Sequence, residues 1–112
     1  MRLLSGQGAW LLQRITAVYA GLFVVVVLGY FLIAPPADHA AWVAVIAHPA
    51  VALGSALFVV LLLLHAWIGL RDIVLDYVKP MALRLTVLTL GAGALILLGL
   101  WALYLLIRTG LA

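Results

Sequence analysis

The stretch "PAVALGSALFVVLLLLHAWIGLRDIVLDYVKP", residues 49–80, decides how this chain folds. From Pro49 to Leu70 it holds no Asp, Glu, Lys or Arg. A hydrocarbon core about 30 Å thick is crossed by roughly 20 such residues in a helix, so residues 49–70 are expected to span a membrane. Pro49 suits a first helical position, where its missing N–H has no partner to lose, and Arg71 and Asp72 mark the far interface. His65 then needs an explanation, because it lies five or six residues inside that interface and about 8 Å below it.

The same pattern recurs on both sides. An apolar run at about 15–34 ends at "APPADHA", where Pro35 and Pro36 cannot continue a helical ladder. Another runs over about 85–107, after Lys79, Pro80 and Arg84, and its Gly91, Gly93, Ala94 and Gly99 allow close approach of a second helix. Of 112 residues, 70% are hydrophobic and 8% charged, with a mean hydropathy of +1.39. Soluble domains are about half apolar. The fold class is therefore all-α: one transmembrane domain over residues 1–112 with three spanning helices and short connections. Residues 1–13 precede the first span and read as an interfacial lead-in, with Trp10 at headgroup depth. A signal peptide fits poorly, because the run that follows is too long for an h-region and ends without a small-residue cleavage site.

Charge sets the topology. Arg2, Arg14, Arg71, Lys79 and Arg84 fall at one side of the three spans and Arg108 at the other. An excess of basic residues in short loops marks the cytoplasmic side, so the N-terminus and second loop are expected inside, with the first loop and C-terminus outside. The net charge of +3 is scattered and forms no nucleic-acid footprint. With no cysteine, the chain has no disulfide, thiolate metal site or iron–sulfur ligand. No calcium, zinc or nucleotide motif is present.

Few residues carry chemistry. An ionisable group within the membrane is costly, and two readings of His65 stay open: a hydrogen bond to a neighbouring helix, or an axial ligand to haem iron, which an apolar helical bundle suits. Gly69, one turn on, leaves room for a flat macrocycle or a close helix. His48 is about 25 Å away along the same axis and His39 lies beyond it, so a second axial ligand would have to come from another chain. Both histidines read as interfacial. Asp72 and Asp76 follow His65 by 7 and 11 residues and share its helical face if the helix continues. Tyr77, next to Asp76, reads either as an aromatic-belt residue or as a phenol that donates to a quinone carbonyl, with the carboxylate holding it and relaying protons. Arg14 reads as a snorkelling topology signal or as the cation for a haem propionate.

The segment "HAWIGLRDIVLDYVKPMALRL", residues 65–85, resembles the D-type membrane anchor subunit of succinate dehydrogenase, the succinate:quinone oxidoreductase of bacteria and mitochondria. That family's signature is a second-helix histidine, ten intervening residues and Asp-Tyr, which His65, Asp76 and Tyr77 match. The Val-Lys-Pro and Ala-Leu-Arg that follow are similar to bacterial members, and the three-span architecture extends the likeness over the whole chain. The resemblance implies that His65 is the haem b axial ligand and iron contact, paired with a histidine of a C-type cytochrome b anchor subunit. It implies that Tyr77 donates to ubiquinone with Asp76 beside it, and that Arg14 meets a haem propionate. Asp72 matches no family role.

The resemblance also implies an iron–sulfur subunit and a flavoprotein subunit on the cytoplasmic face. The chain would then be a subunit of an enzyme that binds lipid and quinone without itself oxidising succinate, so no catalytic residue for succinate is expected in it. The short lead, without an Arg- and Ser-rich transit segment, suits a bacterial inner membrane. Two rivals remain. One is the anchor of a fumarate reductase or menaquinone-linked relative. The other is a small non-enzymatic membrane protein that uses His65 and Asp72 as a proton relay.

Overall fold

The computed structural model describes residues 6–111, so Arg2 of the charge count lies outside the described residues. Four helices follow in order: α1 over Gly6–Ile33, α2 over His39–Ala47, α3 over Pro49–Tyr77 and α4 over Met81–Leu111. Three of them, α1, α3 and α4, are long and apolar enough to cross a membrane. The long helices have 28, 29 and 31 residues, which at 1.5 Å per residue is about 42–46 Å and exceeds the hydrocarbon core by several turns.

That extra length corrects the expected boundaries. Residues 6–13, expected as an interfacial lead-in, are helical and form the first two turns of α1. Residues 71–77, expected in a loop, prolong α3, leaving only Val78, Lys79 and Pro80 between it and α4. Polar side chains at these ends did not stop the helices, because in the headgroup region water and lipid satisfy them without any change of backbone.

The third correction is α2, which occupies most of what was expected to be a plain loop. After the prolines end α1, Asp38 takes an extended backbone and accepts the Ala41 N–H at 2.8 Å, capping α2. The Phe31 and Trp42 rings, 5.0 Å apart, hold α2 to the end of α1. His48 then serves both neighbours: its N–H donates to the Val45 carbonyl, and its Nδ1 accepts the Ala50 N–H at 3.2 Å to start α3. Pro49 takes the expected first-turn position.

The helix α3 packs against both α1 and α4, while the α1 and α4 backbones come no closer than 8 Å among the described residues. The α3–α4 seam rests on leucines meeting glycines. A Cβ on Gly91 or Gly99 would overlap the end of the Leu70 or Leu63 side chain, so the two leucines rest in space that the glycines leave open. Gly93 meets nothing and faces away. The α1–α3 seam is held by the Tyr19 hydroxyl, which donates to the Gly54 carbonyl at 2.8 Å, and by the Phe23 and Phe58 rings 4.5 Å apart. Within each span only 6% of the most apolar window is fully buried inside the chain, so much of the helical surface is left for lipid or for other subunits.

Candidate functional site

His65 lies on the part of α3 that faces α1. Its Nδ1 is 3.1 Å from the Thr16 hydroxyl oxygen, and Thr16 is fully buried. The same hydroxyl lies 2.8 Å from the Leu12 carbonyl and 3.0 Å from the Gln13 carbonyl. A hydroxyl has one proton and spare acceptor capacity. With two carbonyls at the shorter distances competing for that proton, the imidazole is left to donate, from Nδ1–H to Thr16 Oγ1.

Among the described residues Nε2 has no hydrogen-bond partner, and it is not sealed inside the chain. The ring is therefore tethered at one nitrogen and carries an outward lone pair at the other, as metal-bound imidazoles do. Helix–helix hydrogen bonds in membranes contribute only about 0.6 kcal/mol on average, so this bond orients the ring more than it holds the bundle. The sequence reading of His65 as a hydrogen-bonding partner of a neighbouring helix describes Nδ1, and Nε2 is left open.

Gly69 gives its space to a close helix. Its missing Cβ would lie 3.6 Å from the Gln13 amide nitrogen of α1. Gln13 Oε1 is buried without a partner among the described residues, and Gln13 lines a cavity of about 290 Å³ together with Trp10, Arg14, Ile68, Arg71 and Asp72. Rotation of the amide exchanges its oxygen and nitrogen, so Gln13 can present an acceptor or a donor there. The cavity joins the first turns of α1 to the last turns of α3, and it places Arg14 at the depth expected from the sequence. The Arg14 guanidinium, 5.3 Å from the centre of the Trp10 ring, remains exposed at the rim. A haem fits these groups: an open imidazole nitrogen and, toward the helix end, a cation beside an unsatisfied amide for an acidic substituent.

Because α3 runs on to Tyr77, Asp72 and Asp76 do lie on the helical face of His65. They are not joined to it. Asp72 pairs with Arg71 at 3.0 Å, in an arrangement too exposed to contribute much. Asp76 and Tyr77 are exposed, Tyr77 at 80%, and among the described residues neither makes a side-chain hydrogen bond, so the carboxylate does not hold the phenol in this chain. Both groups stand open at the end of α3. His39 is exposed at the start of α2, and His48 is spent on capping, so neither approaches His65.

Two neighbours of these residues escape a reading of the sequence. Thr16 looks there like any threonine in an apolar span. Arg84 reads as a topology signal, but its Nε donates to the Val78 carbonyl at 3.0 Å and its Nη2 to the Leu75 carbonyl at 3.3 Å, so it clamps the exit of α3 beside Tyr77. One signal was available. A cation in the first turn of α4 opposes that helix's own dipole and is better placed against the C-terminal carbonyls of the helix before it.

The sequence of this chain is similar to those of known proteins. The profile of the succinate dehydrogenase/fumarate reductase transmembrane subunit family matches residues 1–101. The succinate dehydrogenase hydrophobic membrane anchor subunit of Coxiella burnetii is 34% identical over 97 residues, covering 87% of this chain and 84% of that protein. The chain therefore belongs to the succinate dehydrogenase/fumarate reductase transmembrane subunit family, as a multi-pass membrane anchor in the bacterial inner membrane.

Proposed function

We propose that the chain supplies one axial ligand of a haem b and part of a ubiquinone-reduction site, while holding a flavoprotein subunit and an iron–sulfur subunit to the cytoplasmic face of the membrane. The observation that carries this reading is the split surroundings of His65, with Nδ1 bonded to Thr16 and Nε2 open. The second imidazole comes from a C-type cytochrome b anchor subunit, since His39 and His48 of this chain are remote and one of them is occupied in capping. Haem b, when bound, supplies a one-electron centre within the membrane. Arg14 neutralises a propionate at the rim of the polar cavity, and Gln13 offers a further polar contact there.

At the end of α3 the Tyr77 phenol donates a hydrogen bond to a quinone carbonyl, which draws electron density onto that oxygen as electrons arrive from the iron–sulfur subunit. Reduction of a quinone to the quinol takes up two protons, and the exposed Asp76 carboxylate relays them from the aqueous side. The five-to-one distribution of basic residues supports a cytoplasmic location for this end of the bundle. The relative's name favours succinate oxidation over fumarate reduction. A lone His65–Asp72 proton relay is disfavoured by the engagement of Asp72 with Arg71 and of His65 with Thr16.

A reduced-minus-oxidised optical spectrum of the native purified complex, with its subunits identified by mass, tests the reading. A b-type spectrum in a complex with a second anchor, an iron–sulfur protein and a flavoprotein is expected. A complex without haem would overturn the ligand role, and a chain that purifies without those subunits would overturn the anchor role.

A further inference from the structure

We propose that Thr16 is the positioning residue of the haem ligand: its hydroxyl oxygen accepts the Nδ1–H of His65, fixing the tautomer that leaves Nε2 for iron and the plane in which the ring meets it. The inference rests on the haem reading above and adds to it a residue on another helix.

The bland account of Thr16 is a threonine whose hydroxyl folds back onto its own helix, as threonines in apolar helices do. This chain contains that case twice. Thr86 donates to the Ala82 carbonyl at 2.7 Å and Thr109 to the Leu105 carbonyl at 2.8 Å, and neither hydroxyl has a cross-helix partner among the described residues. Thr16 makes the same back-bond but differs in two respects. It is fully buried where those two are not, and its oxygen lies 3.1 Å from an imidazole on another helix, 49 residues away in the chain.

The back-bond is itself part of the device. By committing the hydroxyl proton to Leu12 or Gln13, it turns the oxygen into an acceptor toward His65. Ile68, one turn from His65 and 1% exposed, closes the same α1–α3 seam against water that would otherwise compete for Nδ1.

A ligand imidazole whose distal N–H is held by an acceptor is more basic at the metal-binding nitrogen, and loss of such a partner typically weakens metal affinity about 10- to 100-fold. A more basic ligand favours ferric over ferrous iron. Thr16→Val removes the hydroxyl at constant shape, and Thr16→Ser keeps it.

In the assembled complex, Thr16→Val is expected to raise the haem midpoint potential and to weaken haem retention against a haem-scavenging apoprotein at least about tenfold. Thr16→Ser is expected to stay close to the unaltered complex in both respects. If Thr16→Val does not assemble, Thr16→Ala against Thr16→Ser gives the same comparison. The proposal is overturned if the hydroxyl-free variant matches the unaltered complex in potential and retention, or if Thr16→Ser behaves like the hydroxyl-free variant. His65→Leu in the same series separates this failure from failure of the underlying reading: an unchanged haem spectrum there removes the ligand itself, whatever Thr16 does.

Discussion

At the scale of single residues, Tyr77 and His65 call for different tests because their surroundings differ. Tyr77 is exposed and its hydroxyl is unspent among the described residues, so replacing it would remove the proposed hydrogen bond to a quinone and no side-chain bond to those residues. Tyr77→Phe is expected to slow quinone reduction about tenfold, the equivalent of roughly 1.4 kcal/mol. Reduction of an artificial dye by the soluble subunits should be nearly unchanged, and equal loss of both activities would count against a quinone role. His65 was legible from sequence because a lone imidazole in an apolar run is conspicuous. Its partner was not, since only the packing of α1 on α3 separates Thr16 from Thr86 and Thr109.

At the scale of elements, apolar run length located all three spans but underestimated each helix, because a helix does not end where the hydrocarbon ends. The helix α2 went unread even though Asp38, three residues ahead of the N–H it caps, is an ordinary start signal; the Pro35–Pro36 break drew the whole segment into a loop. The connection that matters most for the site is the three-residue exit of α3, and Arg84 determines its shape. Arg84→Gln is expected to lose roughly 1–2 kcal/mol of local stability at this exit, since the bonds it makes are charge-assisted but partly exposed. Amide exchange over residues 75–79 of the reconstituted complex should then speed up about fivefold or more, with the haem spectrum unchanged. Unaltered exchange there would mean that Arg84 serves topology alone.

At the scale of the whole molecule, a chain about 52 Å long whose spans fully bury so few of their residues is a component of a larger assembly. The row α1–α3–α4 has the candidate-site groups below His65 at one end: the cavity with Gln13, Arg14 and Asp72, and beyond it Asp76 and Tyr77. Hydropathy and charge counting gave the number of spans and their expected orientation. How α1 and α4 flank α3 without meeting depends on side-chain fit, such as Leu63 and Leu70 against Gly99 and Gly91, and no periodicity in the sequence encodes it.

The central claim, that the open nitrogen of His65 binds iron opposite an imidazole of a second anchor subunit, is tested most directly by His65→Leu in the assembled complex, read by low-temperature electron paramagnetic resonance with the optical difference spectrum. Loss of the low-spin bis-imidazole signal, through loss of haem or conversion to high spin, is the predicted result; an unchanged low-spin signal would contradict it.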